Sequence, residues 1–152
     1  KNFTQTKAKT YNAPPHYEVH CEYAGGIRTS MGTHNTMGMK VIGTEGWVHV
    51  TRGKITCSKP ALLKPDFNLG PFKGYLSPGH TRNFLDCVKS RKETICPAET
   101  AHRSITPGHL GYVSNTLGRA LKWDAKKEQV TGDAEAQKLL TQMTHRKPWT
   151  LG

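Results

Sequence analysis

The hydrophobic pattern changes its period near the middle of the chain, and this change restricts the fold more than any other feature. Strand-like segments come first, at residues 17–23 (YEVHCEY), 27–31, 39–43 and 47–51. Their alternation of apolar and polar residues is typical of half-buried strands. After residue 77, apolar residues recur at intervals of three and four, as in amphipathic helices. Strands followed by helices predict an α+β fold, with a mostly antiparallel open sheet and helices packed on one of its faces.

Three helices are predicted in the second half of the chain, at residues 77–92, 96–121 and 132–143. Ser77 is expected to cap the first, and Leu85 belongs to its apolar stripe. Pro107 and Gly108 are expected to kink or split the second helix. Asp133 is the predicted N-cap of the third helix, and Leu140 lies on its apolar stripe.

The glycine-rich segment at residues 40–54 (KVIGTEGWVHVTRGK) raises the question of a phosphate-binding loop. Such a loop needs a helix after its glycines, because the helix N-terminus holds the anion. Here an alternating, β-branched segment follows instead, so residues 44–46 are predicted to form a hairpin turn. Neither GxGxxG nor GxxxxGK[ST] occurs. We therefore expect this chain to bind no nucleotide cofactor by itself.

Trp47 is the candidate interface residue. The alternation of residues 47–51 separates Val48 and Val50 from Trp47, His49 and Thr51. We expect the two valines to face the core under the helices, which leaves Trp47 on the open face of the sheet. A large aromatic side chain there is typical of a subunit contact. The alternative is that Trp47 closes the rim of the same core.

Two histidines, His80 and His102, lie in predicted first helical turns and are candidates for facing a substrate pocket. The alternative for each is an ordinary surface position or a satisfied hydrogen bond. No HExxH motif and no CxxC pair occurs, so the sequence predicts no metal site. The four cysteines are expected to be reduced and mostly packed: Cys21, Cys57, Cys87 and Cys96.

The chain carries 22 basic and 11 acidic residues, a net charge of +11. The excess is spread along the sequence, and its tightest cluster (Lys89, Arg91 and Lys92) falls at a predicted helix C-terminus, where cations are favourable. This distribution argues against nucleic-acid binding. No apolar run has the length of a membrane span, and no signal peptide is recognisable, so a cytoplasmic or a periplasmic bacterial location both remain open.

The order of several segments resembles a known family. The segments are VIGTEGWVHVTRG, HTRNFLDCVKSRKETICPAE, AHRS, LGRALKWD, GDAEAQKLL and HRKPWTL. Together they are similar to the C-terminal domain of the glucose-fructose oxidoreductase / inositol dehydrogenase / MocA family, in its bacterial NADH-dependent dehydrogenase-like subgroup. The resemblance begins at about Tyr17. It implies an extended lead-in at residues 1–16 and a single C-terminal domain at residues 17–152, with the N-terminal Rossmann domain absent from this chain.

The resemblance also implies a function. The family's complete enzymes use NAD or NADP, move a hydride to or from a sugar, polyol or related compound, and assemble through the open face of the C-terminal sheet. Their Glu-Lys-Pro and Asp-x-x-x-His motifs do not occur here, so no catalytic or cofactor-binding residue is assigned, and the chain alone is expected to be inactive. The alternatives are a non-catalytic carbohydrate-binding or assembly module and, third, a basic nucleic-acid-binding module.

Overall fold

A computed structural model describes residues 15–64 and 75–141, together with Pro148. Most of the predicted lead-in and the C-terminal end of the predicted domain lie outside these residues. The described chain contains three α-helices and seven strands in three small antiparallel sheets, which confirms the α+β class. The predicted single open sheet is divided into sheets of two, three and two strands. The contacts form two compact units, residues 35–97 and the remainder, and each is described by itself.

The first unit begins with a β-hairpin. Strand β1 (Glu18–Glu22) pairs antiparallel with β2 (Arg28–Gly32), as predicted. Gly25 and Gly26 adopt φ near +80° in the connection, a conformation that glycine adopts without steric cost. Along β1 the side chains alternate between half-buried and exposed. The half-buried face packs against helix α2 (Ala98–Leu117).

Helix α2 is continuous, so the predicted split at Pro107 does not occur. Proline lacks the N–H that would donate to the carbonyl four residues earlier, so one helical hydrogen bond is lost. The remaining hydrogen bonds of this 20-residue helix keep it continuous. Serine and threonine hydroxyls donate to main-chain carbonyls on both sides of this position: Ser104 to Thr100, Thr106 to His102, and Thr116 to Tyr112. The helix therefore presents one long uninterrupted face to its neighbours.

The core of this unit lies between α2, a short hairpin and helix α3 (Ala134–Thr141). The hairpin pairs β6 (Trp123–Asp124) with β7 (Gln129–Val130). Three hydrophobic residues are buried in the described chain, and five half-buried ones surround them: Val113, Val130 and Ala136, then Leu110, Leu117, Leu121, Trp123 and Leu140. The predicted cap of α3 is confirmed, because Asp133 Oδ1 accepts the Ala136 N–H at 3.0 Å.

The second unit contains a three-stranded meander. Strand β4 (Gly46–Thr51) lies between β3 (Met39–Gly43) and β5 (Lys54–Cys57), antiparallel to both. The β3–β4 connection is the predicted hairpin turn at Thr44 and Glu45. Strand β4 follows this turn directly, whereas a phosphate-binding loop requires a helix N-terminus at that point.

The predicted division of β4 into two faces is confirmed, but the expectation that helices cover the valine face was wrong. Residues paired directly across antiparallel strands project to the same face. Val50 lies opposite both Met39 and Ile55, and Val48 lies opposite Val41. Instead of being covered by helices, this apolar face is open: Val48 is half-buried, and the exposed fractions are 63% for Met39, 57% for Val41, 56% for Ile55 and 36% for Val50. Whether other elements pack on a sheet face depends on tertiary contacts, and the alternation of residues alone does not specify those contacts.

Helix α1 (His80–Ser90) begins later than predicted. Gly79 precedes the helix, and the Ser77 hydroxyl accepts the Gly79 N–H at 3.3 Å, so Ser77 caps no helical N–H. The predicted apolar stripe is largely exposed, with Leu85 at 47%. The buried residue is Asn83, which donates to the Tyr75 hydroxyl at 2.6 Å and accepts the Ile95 N–H at 3.0 Å. These hydrogen bonds attach the flanking segments to the helix.

Candidate functional site

A concave groove of about 1030 Å³ lies in the first unit. It lies between the end of β1, one face of α2 and the β6–β7 hairpin. The α2 residues that line it are spaced by three and four positions, which places them on one helical face. They are Arg103, Thr106, Pro107, Leu110, Gly111 and Ser114.

Charged groups form one corner of the groove around the Arg103 guanidinium. Its Nε donates to Glu99 Oε1 at 2.6 Å, and its Nη1 donates to the Ala125 carbonyl at 2.8 Å. Nη2 lies 3.5 Å from Glu128 Oε1. The hydrogen bond and charge of Glu99 raise the pKa of Arg103, with a smaller contribution from Glu128. The guanidinium is thus held in place and permanently charged, with Glu128 beside it.

Glu128 joins this corner to His102. Its Oε2 lies 3.1 Å from His102 Nε2, while its Oε1 faces Arg103. The residue adopts a left-handed conformation with φ of 52°, which is uncommon for a non-glycine residue and often marks a functional position. Glu128 lines the large groove and also a smaller pocket of about 440 Å³ lined by His102.

The turn that carries Glu128 is fixed by its own hydrogen bonds. Asp124 Oδ1 accepts the N–H groups of Lys126 at 2.9 Å and Lys127 at 3.1 Å. These bonds, that of Lys127 foremost, lower the pKa of Asp124. The carboxylate therefore stays ionised and pins the turn. Because the Ala125 carbonyl is bound by Arg103, the turn is attached to α2 as well.

Much of the remaining groove lining is apolar. Trp123, Leu110 and Leu121 are half-buried and also pack against the core. His20 lies near the end of β1 and pairs with Glu18 at 2.8 Å. Cys21, a half-buried thiol, also lines the groove. A mainly apolar cleft with a few fixed polar groups is the usual form of a small-molecule site.

The three residues singled out from the sequence fall in different places. His102 lies beside a pocket and is paired with Glu128, so its proposed substrate-facing role stays a prediction. His80 is the exposed first residue of α1, in the other unit, and forms no hydrogen bond or ion pair with described residues. Trp47 is half-buried, its main-chain N–H donates to Ser58 Oγ at 2.9 Å, and Lys40 Nζ lies 4.4 Å from its ring centroid, so its interface role stays a prediction.

Sequence reasoning missed Arg103 and Glu128. The spacing of Glu99 and Arg103 by four residues was a usable signal for a helical ion pair. No comparable signal pointed to Glu128, because its partners His102 and Arg103 precede it by at least 25 residues in the sequence.

The described residues form neither a metal cluster nor a phosphate-binding loop. Among residues 15–64 and 75–141, no three histidine, cysteine or acidic side chains lie close enough to hold a metal ion. The Thr44–Glu45 turn does not fit a dinucleotide, because a strand follows it. None of the helices in this part of the chain has the length and apolar character to cross a membrane.

Comparison with known proteins identifies the family. The family model described as "Oxidoreductase family, C-terminal alpha/beta domain", from the glucose-fructose oxidoreductase / inositol dehydrogenase / MocA family, matches residues 53–151. No curated protein and no solved structure matches the chain significantly. The matched segment includes α2, the β6–β7 hairpin and α3, and therefore two of the three walls of the groove. The chain belongs to the glucose-fructose oxidoreductase / inositol dehydrogenase / MocA family and carries its C-terminal domain.

Proposed function

We propose that this chain forms the substrate-binding wall and a subunit contact of an NAD(P)-dependent oxidoreductase that acts on a sugar, polyol or related compound. The observation that carries the proposal is the charged corner of the groove, where Arg103 and Glu128 lie side by side in a lining that also contains the apolar side chain of Trp123. Membership of the family implies an N-terminal partner domain, and the proposal assigns the nicotinamide cofactor to that domain.

The chemistry of this corner suits a polyhydroxylated ligand. A hydroxyl group both donates and accepts hydrogen bonds. Glu128 can accept a hydrogen bond from one hydroxyl, while Arg103 donates to its neighbour. The faces of sugars and cyclic polyols that carry C–H groups can pack against Trp123. Charge-assisted bonds of this kind are stronger than neutral ones and fix the orientation of the ligand.

A role in assembly is supported by the open face of the β3–β5 sheet. Four apolar side chains project from it with more than a third of their surface exposed: Met39, Val41, Val50 and Ile55. Exposed apolar residues gathered on one face are typical of a contact surface. The proposed contact therefore lies on the face opposite to that of Trp47.

The test is a titration of the isotopically labelled chain with myo-inositol and sorbitol, followed by NMR. We expect weak, saturable shifts confined to residues around Arg103, Trp123 and Glu128. Glu128→Gln removes the charge and should weaken binding about tenfold. Glu45→Gln is the matched control, since Glu45 lies in an exposed turn of the other unit.

Absence of saturable shifts with every polyol would contradict the substrate role. NADH is the second probe, and the proposal expects no saturable shifts with it. A chain that binds polyols while its complete protein performs no hydride transfer would instead support a non-catalytic carbohydrate-binding module.

A further inference from the structure

The Glu128 carboxylate receives its hydrogen bond from His102. Glu128 Oε2 lies 3.1 Å from His102 Nε2, and an ionised carboxylate only accepts hydrogen bonds, so the imidazole nitrogen is the donor. Arg103 Nη2 is farther away, at 3.5 Å from Oε1, which is an ion-pair distance longer than the usual hydrogen bond. Among the described residues no other group donates to this carboxylate. The direction of the Glu128 side chain therefore depends chiefly on the imidazole.

The main chain of Glu128 does not depend on His102. Asp124 Oδ1 accepts two N–H groups of the same turn, and Arg103 Nη1 donates to the Ala125 carbonyl. The turn is thus fixed and attached to α2 without the imidazole. What His102 adds is the orientation of one side chain.

Glu128 borders two cavities, whereas His102 borders one. The described lining of the groove includes Glu128 and Arg103 but not His102. The smaller pocket of about 440 Å³ is lined by both His102 and Glu128. The route from His102 to a ligand in the groove is therefore the Glu128 carboxylate.

We propose that His102 is a positioning residue, whose Nε2–H fixes the Glu128 carboxylate beside Arg103, where it accepts a hydrogen bond from a hydroxyl group of a polyol in the groove. The inference rests on the proposed function and deepens it by naming the group that orients the acceptor. A carboxylate offers about four acceptor positions, two on each oxygen. With one position directed to His102 and one to Arg103, each oxygen keeps one for the ligand.

His102→Phe and His102→Gln form the decisive pair of variants. Phenylalanine keeps a planar ring without a donor, whereas the glutamine amide can still donate to Glu128. Since 53% of the His102 side chain is exposed, neither substitution disturbs a core. NMR titration with myo-inositol should show an affinity about 3- to 10-fold lower for His102→Phe, and within about twofold of the wild type for His102→Gln. His102→Ala, which also lacks a donor, takes the place of His102→Phe if the new ring disturbs the fold.

His109→Phe is the matched control. His109 lies about two turns after His102 on α2 and lines the same smaller pocket. It forms no hydrogen bond or ion pair with the other described residues. Its replacement by phenylalanine should leave the affinity for myo-inositol unchanged.

A double-mutant cycle with Glu128→Ala separates positioning from a direct contact with the ligand. Once the carboxylate is removed, His102→Phe should have no further effect on the affinity for myo-inositol. With Glu128 present, His102→Phe should also shift the ¹³C resonance of the Glu128 side-chain carboxyl group, because its hydrogen bond is lost.

Wild-type affinity of His102→Phe would overturn this inference. An equal loss of affinity in His102→Phe and His102→Gln, or a loss that persists in the Glu128→Ala background, would do the same. In each of these cases the wild type still binds the polyol, and the proposed function stands. Failure of the wild type to bind any polyol would overturn both.

Discussion

Gly111 of α2 lies so close to Val19 of β1 that a Cβ atom on the glycine would come within 2.6 Å of Val19 Cγ2. Side-chain atoms do not approach each other at that distance, so only glycine permits the observed packing of the strand on the helix. Both β1 and this face of α2 border the groove. The width of the groove therefore depends on the absence of one methyl group.

Gly111→Ala should force β1 away from α2 and reduce the free energy of unfolding by about 1–3 kcal/mol, as overpacking typically does. Urea denaturation measures the effect. Gly108→Ala, in the same helix but facing open space, should instead stabilise the chain by about 0.5–1 kcal/mol. Equal effects of the two substitutions would show that β1 does not pack on α2 at Gly111.

The ion pairs at the start of α3 predict a loss of stability in acid. Arg119 binds both carboxylate oxygens of Asp133, at 2.8 and 2.9 Å, and also Glu135 at 2.7 Å. The bond from Arg119, followed by that from the Ala136 N–H, lowers the pKa of Asp133 to about 2. The same contacts raise the pKa of Arg119.

The unfolded-state pKa of aspartate is about 3.9, so the stabilisation by Asp133 is fully present above that pH and is lost as the pH falls toward 2. Thermal unfolding midpoints at pH 7, 4 and 2 should show this loss in the wild type. Asp133→Asn should lower the midpoint at pH 7 and flatten its decline between pH 4 and 2, while Glu45→Gln retains the wild-type profile. An undiminished decline in Asp133→Asn would refute the assignment.

The two leucines of the predicted helical stripes should now respond differently to the same substitution. Leu140 is half-buried and packs against the core of its unit, so Leu140→Ala should cost about 2 kcal/mol or more of the free energy of unfolding. Leu85 is 47% exposed, so Leu85→Ala should cost less than about 1 kcal/mol. Chemical denaturation would contradict this difference if Leu85→Ala proved the more destabilising of the two.

Locally determined features could be predicted from the sequence. The β1–β2 and β3–β4 hairpins follow from alternation with glycine in or beside the connections, and the cap of α3 follows from Asp133 and the residues just after it. The predicted split of α2 at Pro107 was wrong, because one missing hydrogen bond is tolerated within a 20-residue helix.

Features that depend on distant residues could not be predicted. The exposure of the Val41 face depends on which elements pack against the sheet, and alternation shows only that one face is apolar. Glu128 belongs to the candidate site through contacts with His102 and Arg103, which lie at least 25 residues away. The left-handed conformation of Glu128 could not be predicted either, because glycine is the usual sequence signal for it and no glycine is present at this position.

Adjacent residues of β3 provide a test of the proposed subunit contact. Val41 lies on the apolar face, while Ile42 is opposite Trp47 and shares its face. Both are β-branched and exposed, at 57% and 75%. Light scattering should show an oligomer for the wild type and for Ile42→Asp, and a smaller mass for Val41→Asp, because a charge on a buried contact surface is unfavourable. The reverse result would assign the contact to the face of Trp47.

The most direct measurement is the steady-state kinetics of NAD(P)-linked polyol oxidation by the protein that carries this domain together with its nucleotide-binding domain. The account predicts that Arg103→Met raises KM for the polyol about tenfold or more and leaves kcat within about threefold, because the residue binds substrate and takes no part in hydride transfer. KM for the nicotinamide cofactor should not change. A collapse of kcat with unchanged KM, or no polyol oxidation by the wild type with either cofactor, would contradict the account.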